Sequence, residues 1–213
     1  MIRKAYQGAS NDKSKSTSKL VEAVGVIIRE KGYRHLTATN IAKAAGLDRR
    51  LITLYFGTID NLIETYIRGK DYWIAATGDI SSIMNKNEGE NTQEILDHIL
   101  QQQLKYFSEN EEMQKIVLWQ ISESTQLMKE ITEQRELMSQ SFFKLADQEL
   151  DGRNIDLRAI SALLVAGIYY LVLHTKSTDV TFCEIDLRTS SGMDRIHKAI
   201  SQILKNTYAD KAI

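Results

Sequence analysis

Not one of the 213 residues is a proline. Proline breaks helix interiors by removing a backbone donor and crowding the preceding turn. A chain this long without it is free to be helical throughout. The apolar residues use that freedom, recurring at three- and four-residue spacing. Leu20, Val24, Ile27 and Ile28 form one stripe, and Ile59, Leu62, Ile63, Tyr66 and Ile67 another. Ile95, Leu96, Ile99, Leu100, Leu104 and Phe107 form a third, and Met193, Ile196, Ile200, Ile203 and Leu204 a fourth. No stretch shows sustained period-two alternation. The pattern predicts an all-α fold, with helices over about 15–31, 37–45, 48–56, 59–80, 92–107, 111–124, 126–150, 154–175 and 192–208. Thr92 is the expected cap of the fifth. Residues 1–13 read as a flexible basic arm, 85–91 as a polar loop, and 176–191 as a polar connection with an apolar island at Phe182, Ile185 and Leu187.

Residues 37–56 carry the functional signal. Thr37 is placed to cap a short helix whose apolar face is Ile41, Ala42 and Ala45. Gly46 accepts the positive φ that stops it. Asp48 caps a second short helix bearing Leu51, Ile52, Tyr55 and Phe56, which Gly57 ends. Small Ala42 and Ala45 permit close crossing. Arg49, Arg50 and Thr53 are left to face outward. This is the layout of a helix-turn-helix, whose second helix enters the DNA major groove. Arginine is well shaped for bidentate recognition of guanine.

Charge supports that reading. The net charge is −1 overall. Residues 1–70 hold 13 Lys+Arg against 6 Asp+Glu, while residues 71–213 hold 14 against 22. A basic end that coincides with the helix-turn-helix points to a polyanionic partner. A helical protein-interaction adaptor without DNA binding is the competing class, and the basic head argues against it. No Gly-rich phosphate loop, nucleophile elbow or His-Glu-x-x-His occurs, so an enzyme is not expected. His98, His174 and His197 are far apart and no ligand-spaced cluster exists, so neither a metal nor a cofactor is expected. The single cysteine, Cys183, suits a reducing cytoplasm. The longest apolar run, 159–173, is shorter than the ~20 residues a membrane span needs. A buried helix, and no membrane association, is the expectation.

With these residues in view, the chain resembles the TetR/AcrR (tetracycline-repressor-like) transcriptional regulators. The resemblance rests on Gly32-Tyr33, Thr37, Ile41-Ala42, Ala45-Gly46-Leu47, Tyr55-Phe56-Gly57 and Leu62, over about residues 15–68. It implies a three-helix DNA-binding head (14–68) joined by a fourth helix to a larger helical body (69–213) that binds an effector and dimerises. It assigns DNA contact to Thr37, Thr39, Arg49, Arg50, Leu51, Thr53, Leu54 and Tyr55. Two departures stand out. Thr53 sits where the family usually has tyrosine, and Ile59 where it usually has a phosphate-binding lysine. The operator is therefore this chain's own.

Two further expectations concern the body. The 154–175 segment is apolar nearly all round, so one monomer cannot easily cover it. Ala162, Ala166 and Gly167 would allow close approach. A homodimer through 154–175 and 192–208 follows, with a roughly palindromic double-stranded operator. Aromatic and methionine residues exceed what surface helices require. Trp73, Tyr106, Met113, Trp119, Met128, Phe142, Phe143, Tyr169, Tyr170 and His174 are the expected lining of an apolar small-molecule effector pocket. The resemblance implies a repressor released by that effector. A ligand-independent regulator is the alternative.

Overall fold

The structure, a computed structural model, describes residues 8–74 and 91–209. Helices α1 (Gly8–Lys31), α2 (Ala38–Ala45), α3 (Arg50–Phe56) and α4 (Ile59–Lys70) come first, with a 3-10 turn at Tyr33–His35. The body follows with α5 (Thr92–Glu109), α6 (Glu111–Ser122), α7 (Gln126–Glu149), α8 (Leu157–Ser177) and α9 (Ser190–Ala209). Among the described residues the only β pairing is an isolated bridge between Phe182 and Ile185. The all-α expectation holds.

Each apolar stripe points inward. Leu20, Val24 and Ile27 of α1 meet Ile41 of α2, Ile52 of α3 and Leu62 and Ile67 of α4 in the head. Leu100, Leu104 and Phe107 of α5 meet Ile116 of α6, Ile131 of α7, Ile168 of α8 and Leu204 of α9 in the body.

Four local outcomes differ from the sequence reading. First, α1 begins at Gly8, not Lys15. The helical part of the supposed arm holds no proline, and its only glycine is at the first position. Second, Thr92 is not a cap. Asn91 holds that position with φ 63°, while Thr92 is fully buried. Its amide and hydroxyl both donate to the Glu149 carboxylate, at 2.8 and 2.6 Å. A carboxylate from α7 thus satisfies the first amide of α5, which has no partner within its own helix. Third, Phe182 and Ile185 exchange backbone hydrogen bonds of 3.0 and 2.9 Å. Cys183 and Glu184 between them lie at φ 51° and 61°, so the apolar island is a tight turn.

The fourth difference positions the whole head. The helix expected to run on from residue 59 to 80 stops at Lys70. Asp71 leaves helical geometry at φ −71°, ψ 121° and is fully buried. Its Oδ1 accepts from the amides of Trp73 and Ile74 at 2.9 and 3.3 Å, starting a new helical turn. Its Oδ2 accepts from Nε of Arg135, on α7, at 2.7 Å. Arg135 also donates to Gln120 Oε1 of α6 at 2.5 Å. The remainder of the expected helix, 75–80, lies outside the described residues.

Removing one member of a buried pair strands the other's charge, at a cost of about 3–5 kcal/mol. Asp71→Ala should lose about that much in urea unfolding. The double variant Asp71→Asn/Arg135→Met should lose clearly less than the sum of its two single variants. Strict additivity would mean that the pair is not coupled.

Candidate nucleic-acid interface

The two short helices are set by their ends. Thr37 is extended, and its hydroxyl accepts from the Asn40 amide at 3.2 Å. The Asn40 side chain donates back to the His35 carbonyl at 2.9 Å. Gly46 closes α2 in the left-handed region at φ 65°, ψ 34°. Asp48 then shapes the start of α3. Its Oδ1 accepts from the Arg50 amide at 2.8 Å, and its carbonyl accepts from Leu51 at 3.1 Å. Gly57, at φ 77°, ends α3, and Thr58 caps α4 by accepting from the Asn61 amide at 3.1 Å. With Ile41, Ala42 and Ile52 buried, the outer surface of the pair is decided.

That surface carries most of the expected contact set. Thr37, Thr39, Arg49, Arg50, Thr53 and Leu54 are exposed. Among the described residues, neither the Arg49 nor the Arg50 side chain is held in an ion pair. Thr37 spends one oxygen lone pair on the cap, which leaves its hydroxyl proton free to donate. Leu54 is 70% exposed and adds an apolar surface to this face. The C5-methyl of thymine offers such a surface in the major groove. Leu51 and Tyr55 are half-buried and pack on the head core. Their rings and stems support the surface more than they extend it.

One neighbour was not singled out from sequence. Lys13 Nζ lies over the Tyr55 ring, 5.8 Å from its centroid. The early start of α1 therefore brings a cation beside α3. Helical continuity through residues 8–14 was the available signal.

The head is fastened to the body at a second place. The Tyr33 ring stacks on Trp119 of α6, centroids 5.1 Å apart and 4° from parallel. The Tyr33 hydroxyl also hydrogen-bonds Ser122 Oγ at 3.1 Å, and Arg34 Nε donates to Glu123 Oε1 at 3.0 Å. Lys115 Nζ donates to the Arg29 carbonyl at 2.6 Å. The Arg34 guanidinium is held above its usual range first by its hydrogen bond to Glu123.

The expected pocket residues do not form one lining. Trp73, Tyr106 and Tyr169 do gather where α4 enters the body. Trp73 Nε1 donates to the Tyr169 hydroxyl at 3.1 Å, and the Tyr106 hydroxyl donates to the Lys70 carbonyl at 2.7 Å. Met113, Met128 and Phe142 are core, with Phe143 edge-on to Phe142 and Arg158 over its ring. Trp119 belongs to the head clasp. Tyr170 and His174 turn outward against Phe182, and Tyr170 is 54% exposed. A helix apolar on every side gives periodicity no means of telling inward from outward, which is why these two were misplaced. Two hollows among the described residues are lined by other side chains altogether.

Residues 22–66 match the family model for bacterial regulatory proteins of the tetR family. No curated protein matches the chain. Several solved structures share its fold. FadR from Bacillus subtilis, a transcriptional regulator in complex with stearoyl-CoA, superposes with a TM-score of 0.62 at 14% identity, over 88% of this chain and 96% of its own. The fatty acid degradation regulator FadR from Bacillus halodurans gives 0.63 at 21% identity, over 88% and 96%. A TetR family transcription regulator from Marinobacter aquaeolei gives 0.64 at 16%, over 91% and 97%. At these identities the likeness is one of fold.

Arg49→Ala and Arg50→Ala should each weaken binding to the chain's operator by about 1–3 kcal/mol where the contact is to a base edge. Affinity should fall steeply with salt, since each phosphate-bound cation releases condensed counterions. A double alanine variant with wild-type affinity and an unchanged salt slope in fluorescence anisotropy would sink the assignment.

Proposed function

From the match of residues 22–66 to the tetR family of bacterial regulatory proteins, we propose that the chain is a transcriptional regulator and that it acts as follows. Residues 14–68 read the major groove of double-stranded DNA through α3, with Arg49, Arg50, Thr53 and Leu54 facing the bases and Thr37 and Thr39 facing the backbone. The observation that carries this is the exposed outer face at the start of α3, where neither arginine side chain is held in an ion pair among the described residues.

The regulator is a homodimer. Only 22% of the most apolar stretch of α8 is buried within one chain. Its open side reads Ala159, Ala162, Leu163, Ala166 and Tyr170, a stripe of small and apolar residues, with Leu163 74% exposed. Ile203 of α9, 42% exposed, continues it. A two-fold mate presenting the same stripe would cover both helices. Two heads would then address half-sites about one helical turn, ~34 Å, apart on a roughly palindromic operator.

The operator is released by a small effector with a substantial apolar part. The aromatic group Trp73, Tyr106 and Tyr169 supports a site in the body, at the point where α4 arrives. That one regulator of the same fold holds stearoyl-CoA fits an apolar effector. A ligand changes DNA affinity only by binding the two head positions unequally. The ligand-independent reading has one observation in its favour: the two hollows are not lined by these aromatics.

Leu163→Arg should convert the chain to a monomer by sedimentation at micromolar concentration and lower operator affinity with it. A monomeric wild type would overturn the dimer. Native mass spectrometry of the purified chain should show a small molecule retained by the dimer or accepted from an added fatty acyl thioester. If none is retained and none shifts operator binding, the ligand-independent reading stands.

A further inference from the structure

A hollow of about 370 Å³ opens where α1, α4 and α6 meet. Val21 and Val26 of α1 and the ring of Tyr66 give it apolar walls, and Arg29, Lys70 and Glu112 close one end. Tyr66 is 3% exposed, yet its hydroxyl has no hydrogen-bond partner. Buried hydroxyls are nearly always satisfied, so an unpaired one calls for an explanation. Space for it is made by Gly25, where a Cβ would come within 2.6 Å of the oxygen. Burial pushes the phenol up to about 12, so it is a neutral donor under ordinary conditions.

Two cations stand beside that donor. Arg29 pairs with Glu112, and the Arg29 charge is felt at the Tyr66 phenol. Lys70 Nζ is 2.9 Å from Glu112 Oε2 and 5.9 Å from the Tyr66 ring centroid. Both cationic side chains stay accessible, at 43% and 41% exposure, while the carboxylate between them is at 11%. Two cations against one carboxylate leave this end net positive. Glu22, the other acidic lining residue, is exposed and two helical turns from Arg29, about 10 Å along the axis. At about one Debye length, its repulsion is largely screened.

We propose that this hollow binds a small carboxylate with an apolar body, of the size of benzoate. The body lies on Val21, Val26 and the Tyr66 ring. The carboxylate accepts from the Tyr66 hydroxyl and takes Arg29 and Lys70 from Glu112. Arg29 belongs to the head, Lys70 to the end of α4, and Glu112 to the body. The ligand therefore replaces a tie between head and body with contacts of its own. The binding half stands by itself, whereas the effect on DNA rests on the regulator reading above.

Calorimetric titration of the full chain with sodium benzoate, and with benzamide as the uncharged control, tests this. Benzoate should bind saturably and benzamide at least tenfold more weakly. Tyr66→Phe and Lys70→Gln, each checked for an unchanged melting curve, should weaken benzoate several-fold. Glu112→Gln should tighten it, because an internal competitor is gone, an outcome that a purely structural role would not produce. No saturable heat, equal binding of benzamide, or wild-type affinity in both Tyr66→Phe and Lys70→Gln would overturn the site. Operator affinity measured with and without saturating benzoate separates the halves. A several-fold change supports the regulatory role, and no change with benzoate bound overturns that role alone. A chain that binds no operator even without benzoate counts against the DNA reading, not the site.

Discussion

The relation between head and body depends on one buried carboxylate. Asp71 is fully enclosed, and ionised groups lose several kcal/mol of hydration on entering a protein interior. Here the loss is offset by an arginine from α7 and by two backbone amides of the next helical turn. Those partners give the residue three tasks at once. It ends α4, starts the following turn, and anchors that junction to α7. Flanking bonds tighten the same point, since the Lys70 carbonyl accepts from Tyr106 and the Tyr72 hydroxyl donates to the Ile99 carbonyl, both on α5. The direction in which α4 leaves the body is thus set by polar geometry that tolerates little drift.

A second fastening makes the head more than a pendant on one helix. Tyr33 on Trp119, Arg34 on Glu123 and Lys115 on the Arg29 carbonyl join the far side of α1 to α6. Two attachments on different elements resist rotation where one would act as a pivot. The materials of the two differ. The Asp71 junction is buried, so salt and solvent screen it little. The Arg34–Glu123 pair is open to water, where an ion pair contributes at most about 1 kcal/mol, and the enclosed Glu112 carboxylate is paired with cations that are themselves 43% and 41% exposed. A ligand has far less to overcome at the open side. Any movement of the head is therefore easier as a tilt about the Asp71 junction, with the α1–α6 clasp giving way, than as a displacement of both.

How much of this was legible in the sequence follows from what kind of signal each part sends. Helices and the head came through because a buried stripe imposes a spacing, and because Thr37, Gly46 and Gly57 act through their own backbone neighbourhood. Asp71 did not, since its partner Arg135 is remote in sequence and a lone aspartate after a helical stripe looks like surface charge. Thr92 misled for a related reason. It has the side chain of a cap, but its own amide and hydroxyl are both taken by Glu149 from another helix. The aromatics were the weakest signal. Trp119, Trp73, Tyr170 and Phe142 share a chemistry yet occupy a clasp, a junction, an outer face and a core, and only tertiary packing sorts them.

The division of charge gives the architecture a direction. The positive end is the head, and the acidic excess lies wholly beyond residue 70. Near DNA the body is repelled as the head is drawn in, which disfavours every approach except head first. Screening confines this to about 8 Å at physiological salt, so it acts in the last stage of docking and not at long range. Within that range the chain's own acids compete with phosphate for its cations. Arg34, Arg29 and Lys70 are already occupied by Glu123 and Glu112, on the side of the head that faces the body. Arg49 and Arg50 have no such competitor among the described residues. Glu112 and Glu123 thus engage cations on the side that ties head to body, while the exposed arginines at the start of α3 stay available to an external polyanion.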